Sequence, residues 1–121
     1  MKTQQTSPER RRTKRARSGE LCNFFALLIS SEGLVQGQIQ DVSEEGLSFI
    51  TTGADIGLEE QSVVSLQITS ARLTRALRIN GARLIWARPI DESRLALGLE
   101  FSKPVQLPDA LLAARAADLQ P

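Results

Sequence analysis

A chain of 121 residues with 41% apolar side chains can build one modest core, and so one domain. It contains no histidine, which removes Ser–His and Cys–His nucleophile pairs and imidazole metal sites. The formal net charge of +1 conceals a split: residues 1–17 hold seven Lys or Arg against one acid, for +6, and the remainder holds eight basic and thirteen acidic side chains, for −5.

Residues 1–20 are Thr, Gln, Ser, Pro and Arg with almost no apolar side chains, a composition that does not pack when free. We divide them into a disordered N-terminus over 1–8 and a basic arm over 9–20. A cationic arm on a mildly acidic body points to a polyanionic partner. No apolar segment follows the basic start, so no secretory signal is expected. The longest apolar run, Phe24 to Ile29, is far too short to span a membrane. The single cysteine, Cys22, excludes an internal disulfide and suits a reducing cytoplasm.

From Cys22 the pattern is strand-like. Phe24 to Ile29 reads as a first strand, Ser30-Ser31-Glu32-Gly33 as a hairpin turn, and Leu34 to Val42 as a second strand with Val35, Gly37 and Ile39 on one face. Leu47 to Thr51 is the third strand, with Ser43 to Gly46 connecting it to the second. A loop spans 53–61, and Val64, Leu66 and Ile68 alternate along the fourth strand. Leu73, Leu77 and Ile79 then share one phase, and Ala82, Leu84 and Trp86 the opposite one. The flip at Asn80-Gly81 requires a bulge or a bend. Asp91-Glu92-Ser93 turns the chain, and Leu95, Leu97, Leu99 and Phe101 alternate on the last strand. Pro108 precedes an Ala/Leu-rich helix from Asp109 to Leu119. The expected fold is mainly β: a small six-stranded antiparallel barrel over 21–103, then a C-terminal segment with one helix over 104–121.

Little in the chain promises catalysis. The paired acids Glu44-Glu45, Glu59-Glu60 and Asp91-Glu92 fall in turns, where solvated charges are the rule, and no phosphate-binding G-x-x-x-x-G-K-[ST] or G-x-G-x-x-G loop occurs. Neither an enzyme nor a metal or cofactor site is expected. A single-strand nucleic-acid barrel needs exposed aromatic faces. This chain has four Phe, one Trp and no Tyr, and the strand pattern claims Phe101 and one of Phe24/Phe25 for the core. That argues against a nucleic-acid partner.

Two short motifs remain: Arg11-x-x-x-Arg15 in the arm, and Asp41-x-Ser43-x-x-Gly46 where the second strand gives way to a turn. Asp41 and Ser43 lie two residues apart and face the same way in an extended segment, and Gly46 permits a tight turn or close backbone approach. The same spacing fits an ordinary Asx or Ser/Thr turn. Trp86 reads first as core filler near a barrel rim, with a place at a ligand pocket as the alternative.

In this order, and followed by Ala82-Arg83-Leu84-Ile85-Trp86 and Gly98-x-x-Phe101, the motifs resemble the paired signature of PilZ domains, bacterial receptors for cyclic di-GMP. The resemblance covers about residues 9–103. It implies a cytoplasmic second-messenger receptor without catalytic activity, with Arg11, Arg15, Asp41, Ser43 and Gly46 as ligand groups and Arg10, Arg12 and Trp86 as further candidates. Arginine suits this ligand, because its planar fork binds phosphate or the guanine O6/N7 edge and stacks on a base. Asp41 would accept from guanine N–H groups. An Arg immediately before the R-x-x-x-R step, as Arg10 is, resembles PilZ domains that take up two stacked ligand molecules. The resemblance also implies relay to an effector protein in motility, adhesion, exopolysaccharide or virulence control. The alternative is an adaptor with weak or no nucleotide binding. Ala16 stands where the family commonly has a β-branched residue, and Thr13-Lys14 replaces a usual aromatic–Pro pair, which implies a more loosely seated arm.

Overall fold

The computed structural model describes residues 19–52 and 57–119. A 3-10 turn, Glu20–Asn23, leads into six strands: β1 (Phe25–Ser30), β2 (Gly33–Val42), β3 (Gly46–Thr52), β4 (Val63–Thr69), β5 (Leu77–Pro89) and β6 (Arg94–Phe101). All pair antiparallel and close into a barrel in the order β1-β2-β3-β6-β5-β4, with β4 returning to β1. One helix, α1 (Asp109–Leu119), follows.

Period-two alternation decides what faces inward. Ala26 and Leu28 of β1, Val64, Leu66 and Ile68 of β4, and Leu95, Leu97, Leu99 and Phe101 of β6 are buried, with Phe24 and Phe49 filling the same core. Leu21 of the 3-10 turn is buried with them, so core and arm meet at the turn itself. The helix packs Leu111 and Ala114 onto this core. Its start fits the proline reading, since the Pro108 carbonyl accepts from the N–H groups of Leu111 and Leu112, both at 3.0 Å. Asp91 shapes the β5–β6 turn by accepting from the Ser93 N–H and from Arg94 Nε, both at 2.9 Å. Among the described residues, no helix is long and apolar enough to cross a membrane.

Some details differ from the sequence pattern, strand limits by a residue among them. The first strand begins one residue later than expected, at Phe25. Leu73 does not continue the phase of Leu77 and Ile79; it lies in the β4–β5 loop, half-buried, with its N–H on the Ser70 carbonyl at 3.1 Å. The arm residues Arg10, Arg11, Arg12 and Arg15 lie outside the described residues.

The expected irregularity at Asn80-Gly81 is present. Val64 pairs with Ala82 and Leu66 with Ile79, so Ser65 alone faces Asn80 and Gly81 across the ladder. Gly81 adopts φ +154° there and its carbonyl accepts from the Ser102 N–H at 2.9 Å. A side chain at that φ is strained, and an added Cβ would meet Ser102 Oγ at 2.8 Å. Gly81→Ala should therefore lower unfolding free energy by about 1–3 kcal/mol in urea, with the strand content unchanged by circular dichroism.

Candidate ligand-binding site

Two further bulges set the outer face of the barrel. Between β2 and β3, Ile39 pairs with Phe49 and Asp41 with Ser48, leaving Gln40 as an extra residue. Between β5 and β6, Leu84 pairs with Leu99 and Trp86 with Gly98, leaving Ile85 extra. Each extra residue inverts the side on which the next side chain emerges. Without them, Asp41 would share the inward face of Ile39, and Trp86 that of Leu84. With them, Asp41 is exposed and Val42 buried, and Trp86 is half-exposed outside the barrel wall. The core-filling role expected for Trp86 is thus replaced by an outward one.

The result is a continuous outward row across four strands. Asp41 on β2 faces Ser48 on β3, Ser48 faces Gly98 on β6, and Gly98 faces Trp86 on β5. Three inter-strand steps make the row about 14 Å long. The two small residues in the middle form a floor, and the two larger ones form walls. A cleft of about 250 Å³ occupies this place, lined by Asp41, Ser43, Gly46, Ser48, Trp86 and Gly98 among others.

The three described members of the D-x-S-x-x-G motif play distinct parts. Asp41 is exposed and its carboxylate makes no hydrogen bond or ion pair among the described residues, so the turn does not rely on it. Ser43 builds the turn. Its N–H donates to the Gly46 carbonyl at 2.8 Å and its hydroxyl accepts from the Glu45 N–H at 3.2 Å. Gly46 has no left-handed φ. It is glycine because β3 approaches β6 so closely that a Cβ would lie 2.3 Å from the Leu99 carbonyl oxygen.

The connecting residues Glu44 and Glu45 anchor this turn to the C-terminal segment. The Phe101 N–H donates to the Glu45 carbonyl and the Val105 N–H to the Glu44 carbonyl, both at 2.8 Å. Arg115 of α1 pairs with the Glu44 carboxylate at 3.3 Å. A hydrogen bond from backbone, followed by the one from Arg115, holds the Glu44 carboxyl below its usual value.

Trp86 lies against Gly98 so tightly that a Cβ on Gly98 would stand 2.2 Å from indole Cε2. The Arg88 guanidinium carbon sits 4.8 Å from the indole centroid, a cation–π contact on the strand face the two residues share. Ser48 and Gly98 were not among the sequence candidates. A glycine inside a regularly alternating strand is a signal of close approach, and Gly98 carried that signal. Nothing in the local sequence distinguished Ser48. Among the described residues, no group of three or more His, Cys, Asp or Glu converges as a metal site would need.

Comparison with protein families matches the PilZ domain over residues 9–115. The chain belongs to the PilZ domain family. The match runs from the basic arm through the barrel and into α1, beyond the stretch that carries the sequence resemblance. PilZ domains are a family of cyclic di-GMP-binding domains, ligand-binding receptors and not, as a rule, enzymes. Comparison with curated proteins finds no match.

Gly98→Ala should displace the indole from the floor of the cleft. Because Trp86 is the only tryptophan, its emission maximum should move to longer wavelength as the ring becomes more exposed, at a stability cost of about 1–3 kcal/mol. Unchanged emission would mean that the ring accommodates the methyl group without moving.

Proposed function

We propose that this PilZ domain is a receptor that binds cyclic di-GMP without transforming it. The row Asp41–Ser48–Gly98–Trp86 supports this reading most directly. It sets a carboxylate with no partner among the described residues and an aromatic ring at opposite ends of a small-residue floor. A guanine laid on that floor would offer its N–H groups to Asp41 and a flat face to Trp86. The Ser43 hydroxyl and the backbone at Gly46 would line the same edge.

The other half of the site is the arm. Arg11 and Arg15 would grip phosphate and a second guanine edge, with Arg10 and Arg12 adding positive charge. Ordering such a segment costs on the order of 2–5 kcal/mol. Several charge-assisted hydrogen bonds, each contributing about 1.5–3 kcal/mol net, offset that and leave a binding free energy of about −8 kcal/mol, or micromolar affinity. Closing the arm over the ligand changes the surface next to the cleft, and we propose that an effector protein responds to this change.

Titration calorimetry tests the assignment. Wild type should saturate with cyclic di-GMP and discriminate against GTP. Arg11→Ala, Arg15→Ala and Asp41→Ala should each weaken binding by about 2–5 kcal/mol. Asp41→Ala should leave thermal stability nearly unchanged, because its carboxylate makes no hydrogen bond or ion pair among the described residues. Length-dependent RNA binding with a steep salt slope, and no cyclic di-GMP heat, would identify a polyanion binder instead.

Stoichiometry depends on Arg10. A second stacked dinucleotide adds two negative charges and another guanine face, and Arg10 is placed in the chain to meet them. We expect a ligand-to-protein ratio near two for wild type that falls toward one in Arg10→Ala. A wild-type ratio of one would rule this out.

A further inference from the structure

The 3-10 turn Glu20–Asn23 stands where the basic arm joins the barrel, and its first N–H groups have no local cap, since Gly19 offers no side chain. The cap comes from 97 positions further along the chain. Asp118 on α1 accepts from the Leu21 N–H through Oδ2 at 3.0 Å and from the Glu20 N–H through Oδ1. The Glu20 carboxylate in turn pairs with Arg72 of the β4–β5 loop. Three residues before Asp118, Arg115 reaches Glu44 in the turn between Ser43 and Gly46. Positions three apart lie on one face of a helix, with Cβ atoms about 5–6 Å apart. One helical surface therefore holds both the root of the arm and the turn that carries half of the cleft.

The short connection makes this geometry matter. Arg15 is only four residues from Gly19, so even a fully extended chain carries it no further than about 14 Å of backbone. Over so short a reach, the direction in which the chain leaves the barrel determines where Arg15 is delivered. We propose that Asp118 is a positioning residue: by capping the turn from α1 it fixes the exit direction of the arm relative to the Asp41 cleft, which Arg115 holds from the same helix. Asp118 acts through the turn, without touching the ligand. Its consequence for affinity rests on the receptor reading above, but its consequence for the arm does not.

The test has two arms. In ligand-free protein carrying Cys22→Ser, Ser18→Cys takes a dansyl label, and Trp86, the sole tryptophan, serves as energy donor. Serine at position 22 keeps a donor toward the Gly19 carbonyl, which Cys22 Sγ now contacts at 2.8 Å. Asp118→Asn and Asp118→Ala should broaden the Trp86–label distance distribution; an unchanged distribution in both variants overturns the proposal. In calorimetry with cyclic di-GMP, Asp118→Asn should weaken binding about fivefold to twentyfold, and this factor should shrink toward one when Arg15→Ala has already removed an arm contact. An equal loss in both backgrounds indicates a merely structural role and also overturns it. Asp118→Glu should restore part of the affinity. If wild type takes up no cyclic di-GMP, the receptor reading fails, and the energy-transfer measurement still decides whether Asp118 aims the arm.

Discussion

The outer face of this barrel depends on a parity constraint. In a paired strand each side chain is committed to one side of the sheet, and only an extra residue can reverse the commitment. Gln40 and Ile85 are such residues, on β2 and β5, the strands that flank the β3–β6 pair. Because both reversals fall at the same level, Asp41 and Trp86 emerge on the same outer row with Ser48 and Gly98 between them. Removing either extra residue would turn a carboxylate or an indole toward the apolar core. The cleft is therefore a property of ladder register, and the residues that create it are not the ones that line it most usefully.

The motif turn and the basic arm differ in composition and in what supports them. The motif turn is fixed by backbone hydrogen bonds to Gly46, Phe101 and Val105, and by Arg115. Its exposed ion pair contributes little energy and mainly sets orientation. Asp41 stands beside this anchored turn with its carboxylate unengaged among the described residues, an arrangement that suits a preorganised recognition group. The basic arm has the opposite character, cationic and almost without apolar anchors. Tethering it within a few residues of a capped turn raises the local concentration of guanidinium groups without a large interface. The acidic balance of residues 18–121 and the positive charge of the arm attract each other.

The strand count, the helix Asp109–Leu119 and the bulge at Asn80-Gly81 were all legible in the sequence. Each is written in local alternation or in proline and glycine chemistry, which act over a few residues. The motif pair and its order also carried the family. The bulges at Gln40 and Ile85 were not legible: Leu84 and Trp86 flank Ile85 with apolar side chains that keep the alternation, and the polar pair Gln40-Asp41 after Ile39 reads as a strand giving way to a turn. Trp86 was accordingly assigned to the core, in phase with Ala82 and Leu84, although an indole outside the wall fits the same letters.

Composition and short-range pattern thus determined a mainly β chain with a cationic arm, and the spacing of Asp41, Ser43 and Gly46 marked where the barrel turns. Tertiary structure decided the rest: which side of the sheet Asp41 and Trp86 occupy, that Ser48 and Gly98 form the floor between them, and that Asp118 caps a turn nearly a hundred residues away. The physical reason is that barrel closure and ladder register arise from pairings between distant strands. Those pairings are chosen by how the whole core packs, a quantity that no local stretch of sequence contains.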